Sequence, residues 1–296
     1  MVTVVEVPPG QIVPVQVRAK TRRGFRFWLG ILLITAGLAM AGLFWWDTFG
    51  TTMRVRGVQE AAISEVVESW PEAPEEIAPV DKLIRDFELF PPPEIALGTS
   101  GEAFGILTIP SWHGLSWRAN NPGPTDEQGE ELRNRILVKQ GGATESATNA
   151  ILNTGAAAHY VDTAGPGQIG NFSLSAHRRS HGDNFLHLPD LRDGDWILLE
   201  THEAWYIYRV IGDGQVVLPT DVSVINPDPF VPVGEDGTQI PTRRLITLTT
   251  CTTPTGGAFG NSHRWIVHGE LEAWMPRSDG VPPMIDAYWV EEPATL

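Results

Sequence analysis

The residues best suited to chemistry are a single cysteine and an arginine that follows it by thirteen positions. Cys251 is the only cysteine in the 296-residue chain. The β-branched and apolar run 245–250 before it is typical of a strand, and a glycine-rich turn segment separates it from a second predicted strand that begins at Arg264. If the two strands are neighbours, the loop brings thiol and guanidinium to one edge of a sheet. This arrangement suits a nucleophile beside a fixed positive charge.

A cysteine nucleophile also needs a base or a cation that favours the thiolate, and histidine is the usual choice. Among eight histidines, His177 is the strongest candidate because it ends an alternating strand pattern at 172–177 and enters a polar loop. His159, His181 and His187 compete with it. Histidines on a loop rim are accessible to substrate, whereas those inside strands tend to be packing residues.

A metal centre is the other chemistry that these histidines suggest. His177 and His181 are four residues apart, the spacing of a metal-binding pair on a helix. The strand pattern before them and Gly182 after them argue against a helix, and no third ligand with zinc-like spacing follows. The sequence therefore predicts no metal centre and no cofactor. Acidic residues abound without forming a recognisable calcium loop, so calcium dependence stays open.

The charge is distributed unevenly along the chain. The formal net charge is −15, yet residues 1–56 carry seven basic and two acidic side chains. The rest of the chain is strongly acidic, which argues against a nucleic-acid partner. One cysteine excludes an intramolecular disulfide. A lone cysteine is more often a small buried apolar residue than a nucleophile, and composition alone leaves both interpretations open.

An uncharged apolar run follows the basic N-terminal residues. Residues 27–46 contain no charged side chain, and a helix of about twenty residues spans the ~30 Å hydrocarbon core of a bilayer. Trp28, Trp45 and Trp46 suit the two interfaces. The run is too long for a signal peptide, and no clear cleavage site follows it. We predict a tail at 1–26, held in the cytoplasm by its basic residues, and a single transmembrane helix at 27–46.

The remaining chain divides into a stalk, a globular domain and a tail. Residues 47–100 are acidic and broken by prolines, which is typical of a solvated spacer. From residue 101, short strand patterns with turn signals between them favour a β-barrel or sandwich at 101–275. Residues 276–296 show no strong pattern. The predicted strands cover 104–110, 172–177, 195–201, 205–211, 215–218, 245–250 and 264–267; 132–140 is compatible with strand or helix, and short helices are predicted at 58–69 and 149–154.

Three segments together resemble the sortase family. They are TLTTC at 247–251, the strand that begins at Arg264, and GNFSLSAHR at 170–178. The order histidine, cysteine, arginine is that of the family, and the spacing fits. TLTTC with the spaced arginine is a specific signal, whereas each piece alone is weak. The similarity covers about residues 101–275.

Within that family, the pattern is most similar to class E sortases of high-GC Gram-positive bacteria. Pro254 follows TLTTC closely, and Leu-Pro-Thr-Asp stands at 218–221. Two departures concern loop geometry: Ser175-Ala176 stands where Ala-Gly is more usual, and Ala158 where glycine often precedes a His-Tyr pair.

The resemblance implies a closed eight-stranded β-barrel with short helices and a transpeptidase activity. Cys251 would attack the Thr–Gly carbonyl of a C-terminal sorting signal, of the Leu-Pro-x-Thr-Gly or Leu-Ala-x-Thr-Gly kind, and form a thioacyl enzyme. His177 would protonate the leaving amine. Arg264 would hold the substrate and steady the oxyanion, and Thr250 would help through its backbone amide or its hydroxyl.

The implied partners are secreted proteins that carry the sorting signal and the amine of a peptidoglycan precursor, met at the outer face of the plasma membrane. Two alternatives stay open. One is a hydrolytic cysteine protease on the same scaffold, with water as the final acceptor. The other is a non-enzymatic wall-associated β domain in which Cys251 is merely buried.

Overall fold

A computed structural model describes residues 24–46, 50–112 and 134–286 of the chain. The chain divides into two units, one ending at Phe44 and the other beginning at Trp45. The predicted N-terminal tail up to residue 23 and the end of the chain from residue 287 lie outside the described residues.

Helix α1 forms most of the described part of the first unit. It spans Phe25–Trp45, and none of its 21 residues is buried. It is the one helix of the described ranges that is long and apolar enough, by length and composition, to cross a membrane. The predicted apolar helix at 27–46 is thus present to within two residues. Its place in a membrane stays a prediction.

The second unit contains two further helices and nine strands of one sheet within the described residues. The helices are α2 (Thr51–Glu68) and α3 (Glu145–Leu152). The strands are β1 (Ala103–Thr108), β2 (Arg135–Gln140), β3 (Ala157–His159), β4 (Gly170–Ser175), β5 (Trp196–Glu200), β6 (Ala204–Val210), β7 (Gln215–Val217), β8 (Arg244–Thr252) and β9 (His263–Pro276).

Strand β9 closes the sheet into a barrel because it is long enough to have two main partners. Its first part, from His263 to Glu270, pairs antiparallel with β8, and its second part, from Gly269 to Pro276, pairs antiparallel with β6. The order is β6-β5-β1-β2-β3-β4-β8-β9, and β9 returns to β6. The closed eight-stranded barrel is confirmed. Strand β7 is an additional short strand beside the start of β9.

The strands nearest the predicted site are buried on both faces. Phe172, Leu174, Ile246 and Leu248 of β4 and β8 belong to the main core and are fully buried. Asn171 alternates with them and is buried as well, because its amide donates to backbone carbonyls of the segment after β7. Double burial explains why residues 245–250 read as a nearly continuous β-branched and apolar run.

Helix α2 occupies part of the segment that was predicted to be a solvated stalk. It is longer than the helix predicted at 58–69. Ile63 is buried in a cluster with Ile106, Leu137 and Ile151, which come from β1, β2 and α3. The helix therefore packs on the same unit as the strands.

The proline-broken residues after α2 also contact the barrel. Ala78 and Leu83 are buried with apolar residues of β5, β6 and β9, and Ile84 forms a β-bridge with Trp274. Prolines prevent regular structure here, but they do not prevent burial of the apolar side chains between them. The described residues 50–100 therefore differ from the predicted free spacer.

The described part of the predicted C-terminal tail is packed in the same way. Met284 and Ile285 are buried. Arg277 donates from Nε to Glu200 Oε1 at 2.9 Å, and both side chains are nearly inaccessible. A buried ion pair of this kind ties residue 277 to β5.

Two predicted elements differ in type or extent. The ambiguous run 132–140 is a strand from Arg135 onward. The helical turn predicted at 149–154 is α3, which begins earlier because Thr144 caps it: the Thr144 hydroxyl accepts a hydrogen bond from the amide of Ala147.

The Arg277–Glu200 pair leads to a stability prediction. Arg277→Ala leaves a carboxylate buried without its main partner, so we expect the free energy of unfolding to fall by about 3 kcal/mol. Urea denaturation of the full chain in detergent measures this. Lys82→Ala is the matched control, because Lys82 pairs at 3.5 Å with Asp279 in a more exposed position and exposed pairs contribute about 0–1 kcal/mol. Equal losses in the two variants would contradict the packed arrangement.

Candidate active site

The thiol and the guanidinium are direct cross-strand neighbours. Cys251 in β8 stands opposite Arg264 in β9 in the antiparallel register. Side chains of directly opposed residues share one face, with Cβ atoms about 4.5–5.5 Å apart. Cys251 is half-buried rather than enclosed, so a fully buried packing role does not describe it.

His177 reaches the same edge of the barrel from the other side of β8. Strands β4 and β8 run parallel, with Ser175 opposite Thr249. The amide of Ala176 donates to the Thr249 carbonyl at 3.2 Å. His177 and Cys251 are each two residues past this paired position, at the ends of adjacent parallel strands.

Thr250 links the ends of β4 and β8. It is buried, and its hydroxyl donates to the carbonyl of Ala176 at 2.8 Å. The hydroxyl is therefore engaged in holding the residue before His177. Help to a substrate through the backbone amide of Thr250 stays a prediction.

The imidazole of His177 has two neighbours that the sequence did not indicate. Its Nε2 lies 2.8 Å from Asn153 Oδ1, at the end of α3. An amide oxygen accepts, so Nε2 donates in this pair. The ring of His181 lies with its centroid 5.2 Å from that of His177 and tilted by 31°. Asn153 thus orients the ring, as a third group orients the base in a nucleophile–base pair.

Three other histidines have surroundings that differ from those of His177. Burial lowers the pKa of His159 to about 4, and its ring contacts Gln140 and Thr163. Burial, with a smaller effect of the Arg243 charge, lowers the pKa of His268 to about 4. Both are neutral packing residues at neutral pH. His187 pairs with Asp190 at 2.8 Å.

Tyr160 lies within electrostatic reach of Cys251 and Arg264. Burial raises the pKa of Tyr160, and the positive charge of Arg264 lowers it by a smaller amount. The phenol is therefore neutral at neutral pH. The sequence indicated Tyr160 only as a member of a His-Tyr pair.

Arg264 is held in place by its own loop. Its Nη1 donates to the carbonyls of Asn261 and His263 at 2.8 and 3.0 Å. A guanidinium that is fixed before substrate arrives can stabilise a developing oxyanion without reorganisation.

A second arginine joins the histidine strand to the loop between β8 and β9. Arg178 is 7% exposed. Its Nη1 lies 2.8 Å from Thr252 Oγ1 and 2.9 Å from the carbonyl oxygens of Gly256 and Gly257. The residue after His177 thus fixes the residue after Cys251 and the turn that leads to Arg264.

No group of three or more metal-ligating side chains occurs in residues 24–46, 50–112 and 134–286. The arrangement assembled there is a thiol, an imidazole and a guanidinium at one edge of a closed barrel. This set of groups is suited to acyl transfer through a thioester.

Comparison with known proteins agrees with the fold. The family model described as the sortase domain matches residues 130–272. Sortase SrtE1 of Streptomyces coelicolor is 36% identical over 141 residues, 46% of this chain and 38% of that protein. Sortase SrtE2 of the same organism is 29% identical over 253 residues, 82% of this chain and 80% of that protein.

A solved structure is similar to about two thirds of the chain. The SrtA sortase from Actinomyces oris is 34% identical, with a TM-score of 0.53, over 68% of this chain and 94% of that chain. The chain belongs to the sortase family of cysteine transpeptidases. It spans well under half the length of SrtE1 in that match.

The Arg178 contacts lead to a second prediction. Arg178→Met removes the donor shared by Thr252, Gly256 and Gly257, so we expect the amides of residues 253–257 to exchange with deuterium about tenfold faster, since a charged hydrogen bond contributes about 1.5–3 kcal/mol. Exchange monitored by mass spectrometry measures this. Arg192→Met is the control, because Arg192 is exposed and its guanidinium donates to carbonyls of its own turn. Unchanged protection of 253–257 would contradict the assignment.

Proposed function

We propose that this chain is a membrane-anchored sortase that cleaves a C-terminal sorting signal between Thr and Gly and transfers the protein to the amine of a peptidoglycan precursor. The signal is of the Leu-Pro-x-Thr-Gly or Leu-Ala-x-Thr-Gly kind. The observation that carries the proposal is the cross-strand pair of Cys251 and Arg264, with His177 at the end of the adjacent strand, in a chain of this family.

The first half of the reaction cleaves the substrate. The Cys251 thiolate attacks the threonine carbonyl carbon, a C–S bond forms, and the carbonyl oxygen becomes an oxyanion next to the Arg264 guanidinium. His177 gives a proton to the glycine nitrogen as the C–N bond breaks. The products are a thioacyl enzyme and a free glycine amine.

The second half reverses the roles. The incoming amine attacks the thioester carbonyl, His177 accepts its proton, and the C–S bond breaks as the new C–N bond forms. A thiol with an ordinary pKa of ~8.5 is mostly protonated at neutral pH. Positive charge beside a thiol favours the thiolate, which is the reactive form.

The proposed location follows from helix α1 and the charge around it. The helix is long enough to cross a bilayer, and basic residues precede it in the sequence, which favours a cytoplasmic N-terminus. The acidic second unit would then face outward, where exported substrates emerge.

The nucleophile is tested by Cys251→Ala in the full chain. Wild-type protein is incubated with sorting-signal peptides, with and without an amine acceptor, and mass spectrometry detects the adduct and products. We expect Cys251→Ala to form no adduct and no product, because the variant lacks the only thiol, while its melting temperature stays close to wild type. Ser262→Ala, an exposed change in the same loop, should react normally. Turnover by Cys251→Ala would end the assignment, and hydrolysis unaffected by the amine would favour the protease alternative.

The guanidinium is tested by Arg264→Lys. An ammonium keeps the charge but lacks the planar fork, so we expect kcat/KM to fall about 100-fold, the loss seen when an oxyanion donor is removed. Arg209→Lys, an exposed change in β6, is the matched control. Unaltered turnover of the peptide by Arg264→Lys would reduce Arg264 to a structural residue.

A further inference from the structure

Helix α2 has one buried stripe of side chains, which is polar in the first half of the helix and apolar in the second half. Thr52 and Gln59 in its first half are 3% and 7% exposed, and Ile63 in its second half is 4% exposed. The spacings of seven and four residues place all three on one face. Two buried polar residues, Thr52 and Gln59, thus precede the buried apolar Ile63 on the same stripe.

The apolar half explains why α2 adheres to the barrel. Ile63 is buried with side chains of β1, β2 and α3, and Val66 and Val67 pack against the same cluster. Burial of this kind accounts for stability. It does not explain the two buried polar side chains, which lose solvation unless they find partners.

The partners of the polar half lie in the loop that begins at the candidate general acid. This loop, 177–185, is closed at its base by a hydrogen bond from the Phe185 amide to the His177 carbonyl at 3.0 Å. Thr52 Oγ1 donates to Asp183 Oδ1 at 3.2 Å. The Thr51 hydroxyl accepts from the amide of His181 at 3.2 Å.

The tip of the loop has unfavourable backbone torsion angles that contacts from other elements must stabilise. Ser180, His181 and Asp183 have φ angles of 71°, 48° and 54°, with Gly182 at 104° between them. Positive φ is unfavourable for residues other than glycine and persists only where the surroundings hold it. The contacts from α2 are made at this tip.

The same helix also holds the turn that carries the hydrogen-bond partner of His177. Gln59 Nε2 donates to the carbonyl of Gly155 at 3.0 Å, two residues after Asn153. Asn184 donates to that same carbonyl. A Cβ added to Gly155 would lie 3.1 Å from the His181 carbonyl oxygen. Helix α2, the 177–185 loop and the Asn153 turn therefore meet at Gly155.

We propose that helix α2 is part of the active-site support, and that Thr52 and Gln59 are positioning residues for His177. Thr52 fixes the loop that His177 begins, and Gln59 fixes the turn whose Asn153 orients the imidazole. The role of the imidazole rests on the proposed function. Residues before 101, which composition alone assigns to a spacer, then belong to the catalytic unit.

The test uses the full chain in detergent with Thr52→Val and Gln59→Leu combined, which keeps side-chain volume and removes the hydrogen bonds. We expect kcat for a sorting-signal peptide to fall about 10- to 100-fold, the effect of small misplacements of a reacting group, with KM nearly unchanged. Iodoacetamide alkylation of Cys251, the only thiol, should slow as well. Thr52→Ser keeps the hydroxyl and should retain activity. Ser64→Ala, on the exposed side of α2, should match wild type.

Four results separate the outcomes. A double variant with wild-type kcat overturns the inference, whatever its melting temperature. The inference also fails if kcat of the double variant returns to the wild-type value when the assay temperature is lowered below the melting transition. Loss of stability alone would then explain the lower kcat. If wild-type protein forms no Cys251 adduct with any peptide, the proposed function fails. The alkylation rates then test the positioning role independently of substrate, and equal rates in wild type and double variant count against it.

Discussion

Strand β8 is hydrogen-bonded along both edges, in parallel to β4 and antiparallel to β9, and the candidate site depends on this double pairing. One ladder sets Cys251 opposite Arg264, and the other brings the end of β4 beside it. A slip of one residue in either ladder would turn the thiol to the opposite face. Such a slip would also replace Ile246 and Leu248 in the main core with the threonines that alternate with them. Burial of these two side chains therefore holds the register on which the chemistry depends.

The strands predicted best are those that their own residue pattern identifies without knowledge of the neighbouring strands. The runs at 195–201, 205–211 and 245–250 are long, apolar and β-branched or aromatic, and each is a strand. Strand β3 was missed because Ala157–His159 is short, rich in alanine and stabilised by its neighbours β2 and β4. The end of β9 was missed because Gly269 interrupts the pattern, although that segment closes the barrel against β6.

The site residues likewise divide into those that local sequence patterns predict and those whose position depends on tertiary packing. Cys251 and Arg264 belong to consecutive strands joined by a turn-rich loop, so local patterns suffice to bring them together. His177 was placed by its position at the end of a strand and by the family order. Asn153 and Tyr160 could not be found in this way, since their approach to the site depends on how α3 packs against the barrel and how β3 pairs within it. The same reason applies to residues 47–100. Their prolines and acidic side chains predict a spacer, because the sequence does not show the surfaces against which α2 and the following segment pack.

The two halves of the site are therefore held by different means. Cys251 and Arg264 lie on adjacent strands within a continuous ladder, where backbone hydrogen bonds and a buried core act together. His177 begins a loop whose tip has an unfavourable backbone and whose contacts come from a helix outside the barrel. Local opening costs least where few apolar contacts are lost, and the contacts of Thr52 are polar. A perturbation of α2 should thus reach the imidazole before it reaches the thiol. Helix α2 is consequently the part of the described chain best placed to influence proton transfer while the cross-strand pairing of Cys251 and Arg264 stays intact.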